Sequence, residues 1–428
     1  MKFIFEDTEN YLNFTNCKDI NPSGIGRFGV SPLLNASHLF YVSNSIKNHN
    51  IFHKSDEDVK KYIISCGVNH SPEDWTGYYP NVKSLFYYLN EKYLRDLRNK
   101  DAILLIDQSF EGYQTPWLWE WFHKECEEWN ISPKQVVYVT GNMIVEDFYQ
   151  KWTSENNIEE KIKVIGYPHF ELDLGVTVTH LSPNEKLPTW NDHIKYKTEN
   201  IDKIKAFACL NKRLRYQRIW FYKHMFDAGI LDLGLISMNK FDKHPWSYEG
   251  RTMDLNSLDP LIDRLPMLVY GKRNDELDDN YYIRRFNNQI CLDTFVTVVS
   301  EAQFADSDNT LFISEKTYKV IACRQPFIIM GNKDTLKKLR ECGYKTFDGF
   351  IDESYDSLPN FERMEAIIKS IKKIINIEDK IEWFKSMEDI VEHNYNTFIS
   401  KLKKRPEAFL ELEKYSNEIF DLPKIKLI

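Results

Sequence analysis

No stretch of this sequence stays apolar long enough to cross a bilayer. Its longest apolar stretches, such as Ala102 to Ile106, Phe295 to Val299 and Pro326 to Met330, fall far short of the roughly 20 residues a membrane helix needs and have the composition of buried strands. Cysteine is sparse and scattered, seven residues at 17, 66, 126, 209, 291, 323 and 342 without a CxxC pair. That pattern argues against a disulfide framework or thiolate zinc site and for reduced thiols in a cytosol. Histidine does not cluster at metal-ligand spacing either, so no metal centre is expected. Positive charge is not in excess: the net charge is −8, which excludes a basic coat for non-specific nucleic-acid binding but not a local basic groove. The opening MKFIFEDTENYLNF meets acidic residues within six positions and has no continuous apolar core or small-residue cleavage site; secretion is not expected. The expected location is the cytoplasm of a bacterium or of a virus-infected cell.

What is present is a large apolar supply, 42% hydrophobic and 14% aromatic over 428 residues, enough for more than one compact core. Strand-like and helix-like segments alternate from about residue 60: KYIISC, the amphipathic Val82 to Arg98, AILLID, Trp117 to Trp129, QVVYVTG, Ile144 to Glu155, and KIKVIGYP. This predicts an open α/β sheet with parallel strands. The polar, proline-containing residues 181–200 read as a linker. A second alternation follows: IKAFACLN, the helix Tyr216 to Asp227, LGLISM, FVTVVS, the helix Glu315 to Cys323, PFIIMG and the helix Lys333 to Cys342. Ile367, Ile371, Ile374 and Ile375 lie at helical spacing beyond it. The expected organisation is an α/β protein of two Rossmann-like domains facing a cleft: a first domain at residues 1–180, a linker at 181–200, a second domain at 201–380 and C-terminal helices at 381–428.

Gly24-Ile25-Gly26-Arg27-Phe28-Gly29 matches GxGxxG literally. A dinucleotide fingerprint needs a strand before it and a helix after it, whereas here turn residues precede and Ser31-Pro32 follows. It reads as a glycine-rich loop.

Two segments carry chemistry. In Phe207-Ala-Cys-Leu-Asn-Lys-Arg-Leu-Arg-Tyr-Gln-Arg218 an apolar strand ends and a helix opens among four basic side chains. Helix N-termini attract anions, and arginine adds donors suited to phosphate. Arg218, one turn into the helix, is the leading candidate, with Asn211 and Arg215 beside it; Lys212, Arg213 and Arg215 also suit a solvated turn. In the second segment, Val298-Val-Ser-Glu301 is followed by Leu311-Phe-Ile-Ser314-Glu315-Lys316 and an apolar helix ending at Pro326 to Gly331. Ser314 is the expected N-cap. Glu315 can accept from two ribose hydroxyls while Lys316 neutralises a diphosphate, or it can simply complement the helix dipole.

Together these segments resemble the donor domain of the family-10 glycosyltransferases, the α1,3/α1,4-fucosyltransferases. The matching positions are Arg218 for the family's helix arginine, Glu301 for the glutamate of its first element, Glu315 and Lys316 for its Glu-Lys pair, and Pro326 to Gly331 for its closing strand. The match covers about residues 204–350. The resemblance implies a GT-B fold, metal-independent inverting transfer, no cofactor, and a nucleotide-diphosphate sugar as donor. The chain departs from the family in a longer loop between Glu301 and Glu315, in Ser314 and Phe312 for a threonine and a tyrosine, and in Val139-Thr-Gly-Asn142. There the family carries Thr-Gly-Glu-Asn, whose glutamate is the base.

An amide cannot take a proton, so the base is expected where AILLI hands over to Asp107, with Glu111 second; Asp107 also suits a turn cap. Trp117, Trp119 and Trp121 can stack on a sugar or flipped base, or pack a core. The acceptor expected is a glycan precursor or a hydroxymethylated base in viral DNA. Two rival readings are a DxD metal site at Asp306-Ser307-Asp308 and a nucleotide- or glycan-binding protein without turnover.

Overall fold

The computed structural model describes residues 3–4, 61–67, 86, 89, 91–109, 111–112, 116–179, 181, 186–211, 213–243, 246–248, 250–270, 286–306, 309–402 and 407–421. The Gly24 to Gly29 loop, Lys212, Ser307 and Asp308 lie outside them. The chain divides into two compact units, one of Met1–Val176, Asp308–Phe312 and Lys401–Ile428, the other of Thr177–Ser307 and Ile313–Ser400. Each holds a parallel sheet flanked by helices, the α/β class expected, and helices follow the second sheet to the end of the described chain.

In the first unit β1 (Phe3–Ile4), β2 (Tyr62–Gly67), β3 (Ala102–Gln108), β4 (Val136–Thr140) and β5 (Lys163–Gly166) lie side by side in chain order, every pair parallel. Side chains along a strand alternate between faces. Ala102, Leu104 and Ile106 therefore pack with Val136 and Tyr138 against α1 (Glu91–Arg98), α2 (Pro116–Glu128) and α3 (Val145–Glu155). Ile103, Leu105, Val137 and Val139 face the other way, onto Leu172 and Val176 of α4 (His169–Thr179) and onto Leu412 in the C-terminal helix. Covering both faces is why β3 reads as an unbroken apolar run. Trp119 is fully buried, with ring centroids 5.0 Å from Tyr149 and 5.8 Å from Tyr138. Trp117 and Trp121 pack partly buried against the same cluster. All three tryptophans are core packing in this fold.

The second unit opens on a correction. Trp190–Glu199, within the stretch expected to be a linker, is helical and forms α5. Thr189 accepts from the Asp192 N–H at 3.2 Å while Asp192 accepts from the Thr189 N–H at 2.8 Å, a capping box worth about 1 kcal/mol. Trp190, His193 and Lys197 make one buried face inside an otherwise polar sequence, and Trp190 stacks on Phe384 at 4.4 Å. Composition concealed that face because its later members are a histidine and a lysine. Burial pushes the Lys197 ammonium down to about 7, and it donates to the carbonyls of Cys291 and Leu292 at 2.7 and 2.8 Å.

The sheet that follows has β6 (Lys205–Leu210), β7 (Gly234–Ser237), β10 (Thr294–Ser300) and β11 (Phe327–Met330) in the order β11-β10-β6-β7, all parallel; β8 (Ser247–Tyr248) and β9 (Arg251–Thr252) form a separate hairpin between them. The chain runs outward from β6 to β7, then returns to the opposite side of β6 to lay down β10 and β11. Such a reversal separates the loops leaving the two central strands and opens a crevice at their carboxyl ends. Helix α6 (Tyr216–Asp227) follows β6, α7 (Asn288–Leu292) precedes β10, and α8 (Glu315–Ala322) leads to β11. Beyond them come α9 (Thr335–Glu341), α10 (Asn360–Ile375), α11 (Lys380–Lys385), α12 (Glu388–Lys401) and, in the first unit, α13 (Glu407–Ile419). No helix among the described residues is long and apolar enough to cross a membrane.

Candidate functional site

The reversal in the second sheet falls between β6 and β10, and Asn211 and Glu301 are the first residues past those strands. Arg218 bridges them. It is the third residue of α6, 4% exposed, and its terminal nitrogens donate to the carbonyls of Arg213 at 3.0 Å, Ser300 at 3.2 Å and Glu301 at 3.1 Å. Nε has no partner. Burial, then neighbouring Arg215, lowers its pKa to about 10, which leaves the guanidinium charged at neutral pH. Sequence reasoning offered these donors to phosphate. Three of the five are instead committed to main chain, two pinning the end of β10 and one holding the Arg213 carbonyl, so the side chain offers charge more than a bidentate grip.

Glu301 is fully buried and committed internally. Its carboxylate accepts from the Ser314 N–H and hydroxyl at 3.1 and 2.5 Å, from the Thr317 hydroxyl at 2.6 Å and from the Ala302 N–H at 3.1 Å. This carboxylate fixes the start of α8. Ser314 caps that helix as expected, accepting from the Lys316 N–H at 3.4 Å. The Lys316 ammonium donates to Glu315 at 2.8 Å and to the Ser314 hydroxyl at 3.2 Å, and the lysine side chain is 32% exposed. Burial works against ionisation of Glu315, yet Lys316 and then Lys319 hold its pKa below the ordinary value. Glu301 and Glu315 both act electrostatically on Arg218, so arginine, capped helix and Glu-Lys pair share one neighbourhood. Arg215 is exposed at the N-cap of α6. Asn211 is 2% exposed; its N–H donates to Ser237, and its side-chain oxygen has no partner.

Asp107 ends the apolar part of β3 with zero exposure. One oxygen accepts from the Ser109 N–H at 2.9 Å and the other has no partner. Burial pushes the carboxyl up to about 7. The Ser109 hydroxyl lies 3.2 Å from His169 Nδ1 at the start of α4, a contact spanning 60 residues that nothing local in the sequence announces. Glu111 is half-buried, and its main-chain carbonyl receives the Gly141 N–H at 2.8 Å and the Thr140 hydroxyl at 2.9 Å.

Asn142, standing where the resembling family has its base, is a clasp. Its side-chain oxygen accepts from the Leu311 and Ile144 N–H groups at 3.0 and 3.2 Å, and its amide donates to the Asn309 carbonyl at 2.7 Å. The Met143 N–H adds a bond to Leu311 at 2.8 Å. Residues 309–312 are thereby strapped to the first unit. Phe312 seats on Gly112 and Gly141, where a side-chain carbon at Gly141 would approach its ring to 2.5 Å. The long loop that departs from the family pattern is thus partly a structural element. Asp306 of the DxD triplet pairs with Arg363 and accepts from the Asn360 N–H at 2.8 Å, which anchors the start of α10. Among the described residues no cluster of three metal-ligating side chains occurs.

No known protein family and no curated protein matches the chain, so the likeness to family-10 glycosyltransferases remains one of motif. Solved structures similar to it include trehalose-6-phosphate from E. coli bound with UDP-2-fluoro glucose, at 11% identity over 82% of this chain and 91% of that one, TM-score 0.35. An α,α-trehalose-phosphate synthase (UDP-forming) from Burkholderia vietnamiensis aligns at 11% identity over 73% and 71%, TM-score 0.31. The Gap123 glycosylation-associated protein complex from Streptococcus agalactiae aligns at 10% over 94% and 60%, TM-score 0.25. With scores this low the α/β description rests on strand order, not on these likenesses.

Proposed function

We propose that this chain is a GT-B-type glycosyltransferase that takes a sugar from a nucleotide-diphosphate donor and passes it to an acceptor hydroxyl with inversion. The observation that carries the reading is the gathering of Arg218, the capped start of α8, Glu315 and Lys316 beside the strand-order reversal, where sheets of this kind receive ligands. In this reading Lys316 and the Arg218 charge stabilise the leaving diphosphate, and Glu315 takes the ribose hydroxyls. Glu301 and Ser314 hold that helix start in place, and Asn211 and Arg215 border it. The cations supply the charge that a metal supplies elsewhere. Asp107 is proposed as the base, with Glu111 second: a carboxylate whose pKa is near 7 is basic enough to take a hydroxyl proton near neutrality. The acceptors proposed are a glycan precursor or a hydroxymethylated base in viral DNA.

One observation favours a second reading, binding without turnover: the Asn142 amide is tied to the strap and offers no acid at that position. The test is a panel of nucleotide sugars, scored by thermal shift and by release of nucleoside diphosphate, with and without glycan or modified-DNA acceptors. Stabilisation with release supports transfer, and stabilisation without release supports the binding reading. A panel in which no nucleotide or nucleotide sugar raises the melting temperature would overturn both.

A further inference from the structure

The loop that leaves β11 has a feature the donor reading does not use. Its main chain is pinned: Arg363 donates to the Gly331 carbonyl at 2.8 Å, the Thr335 hydroxyl to the Asn332 carbonyl at 2.6 Å, and the Asp356 carboxylate accepts from the Leu336 and Lys337 N–H groups at 2.9 and 3.0 Å. Gly331 permits a close approach, since a side-chain carbon there would lie 3.4 Å from Glu301 Cγ and 3.2 Å from the Thr335 hydroxyl. Within this rigid turn the Asn332 side chain is 1% exposed, and neither its oxygen nor its nitrogen has a partner. Among the described residues it is the one buried amide unsatisfied at both ends. Leaving a buried donor and acceptor unmade is costly, so such a pair calls for a partner that can both give and take a hydrogen bond.

Its neighbours say where it belongs. Gly331 lies against Glu301, whose carboxylate holds the start of α8 and whose carbonyl receives Arg218. Asn332 therefore lies just past the carboxyl end of β11, beside the end of β10 from which Glu301 projects. An amide offers one acceptor beside one donor, which complements two adjacent hydroxyls that each can give and take a hydrogen bond. With the diphosphate assigned to Arg218 and Lys316 and the ribose to Glu315, the base and the transferred sugar are left to meet it, and of these two the sugar is the one that carries adjacent hydroxyls.

We propose that Asn332 is a specificity residue that reads adjacent hydroxyls of the donor's sugar; this rests on the donor-site reading above. The experiment compares wild type, Asn332→Ala, the isosteric Asn332→Asp and Lys316→Ala by calorimetry, with a nucleoside diphosphate alone and with the same nucleotide carrying its sugar. Asn332→Ala and Asn332→Asp should bind the bare diphosphate as wild type does and the nucleotide sugar roughly ten- to a hundredfold more weakly. Lys316→Ala should weaken both ligands. Equal loss of both ligands in the Asn332 variants would assign the amide to the nucleotide and overturn the proposal, as would unchanged binding of both. Absence of binding to wild type across the panel would overturn the donor reading itself, and this proposal with it.

Discussion

The two sheets are built from the same parts and wound differently. In the first, five strands lie in chain order and the described crossovers all step in one direction; in the second, the chain reverses between β6 and β10. Buried polar side chains accumulate at the carboxyl ends in both, but with different electrostatics. The reversal in the second sheet collects Arg218, Lys316 and a capped helix start around Glu301 and Glu315, and Lys316 and Lys319 hold the Glu315 pKa below its ordinary value. The serial sheet holds Asp107, Ser109 and His169 in a tight, cation-poor setting where burial keeps the acid's pKa near 7. The two sheets, differently wound, thus differ in the charge gathered at their carboxyl ends, cations beside carboxylates in one and a buried acid in the other.

The comparison breaks most sharply at the cations. Lys316→Ala should lower transfer about a hundredfold, the scale of losing one contact to developing charge, with a smaller drop in melting temperature from leaving the buried Glu315 carboxylate without its nearest cation. Arg218→Ala should lose as much activity and also unfold earlier, since it orphans the Ser300 and Glu301 carbonyls at about 1–3 kcal/mol. Steady-state rates beside thermal melts of both variants check this; equal melting temperatures would show that Arg218 does not pin β10.

The serial sheet is probed by Asp107→Asn, which should abolish transfer while leaving donor affinity intact. It carries a pH signature as well. The folded-state pKa of about 7 lies above the ordinary 3.8, so the folded protein binds this proton more tightly than the unfolded chain does. The associated stability is full below about pH 4 and is lost as pH rises through 7. Wild type should therefore lose up to a few kcal/mol relative to Asp107→Asn between pH 4 and 8 in denaturant titrations. A constant difference between the two proteins across that range would mean that Asp107 is not buried as described.

Smaller effects test the strap. Asn142→Asp keeps the acceptor for Leu311 and Ile144 but cannot donate to Asn309, and should cost about 1–3 kcal/mol by the same melts. If it instead gains activity as a base, the clasp assignment fails. Gly141→Ala should cost a similar 1–3 kcal/mol or more through overpacking against Phe312 and the Ser109 carbonyl, which the added carbon would approach to 2.6 Å, and Phe312→Ala should relieve only part of it in a double-mutant cycle. The smallest effect expected is that of excess chelator on activity, which should be none; complete loss with rescue by manganese or magnesium would return Asp306 to the mechanism.

Local grammar made much of this legible beforehand. The helix Tyr216–Asp227 and the N-cap at Ser314 stand where capping residues and apolar spacing put them, and the strands were visible as apolar runs because both faces of each sheet are covered. What escaped was set at long range. The direction in which a sheet is wound leaves no mark in any one segment. The clasp between Asn142 and residues 309–311 spans more than 160 positions, and an asparagine reads the same whether it catalyses, clasps or waits for a ligand. Helix α5 was missed because its buried face is completed by His193 and Lys197. The carbonyls that occupy Arg218 could not be read either, since main-chain acceptors have no letter in a sequence.

Covering Ile103, Leu105, Val137 and Val139 with Leu412 and Phe420 has a consequence for how the protein is made. The ribosome delivers the last strand of the first sheet well over two hundred residues before it delivers α13. During that interval, on the order of tens of seconds at ordinary synthesis rates, one face of a nascent parallel sheet stands partly bare while the whole second sheet is being threaded. The first half of this chain is begun early and finished last, and its exposure to chaperones and to neighbouring chains is set by the length of what is inserted between.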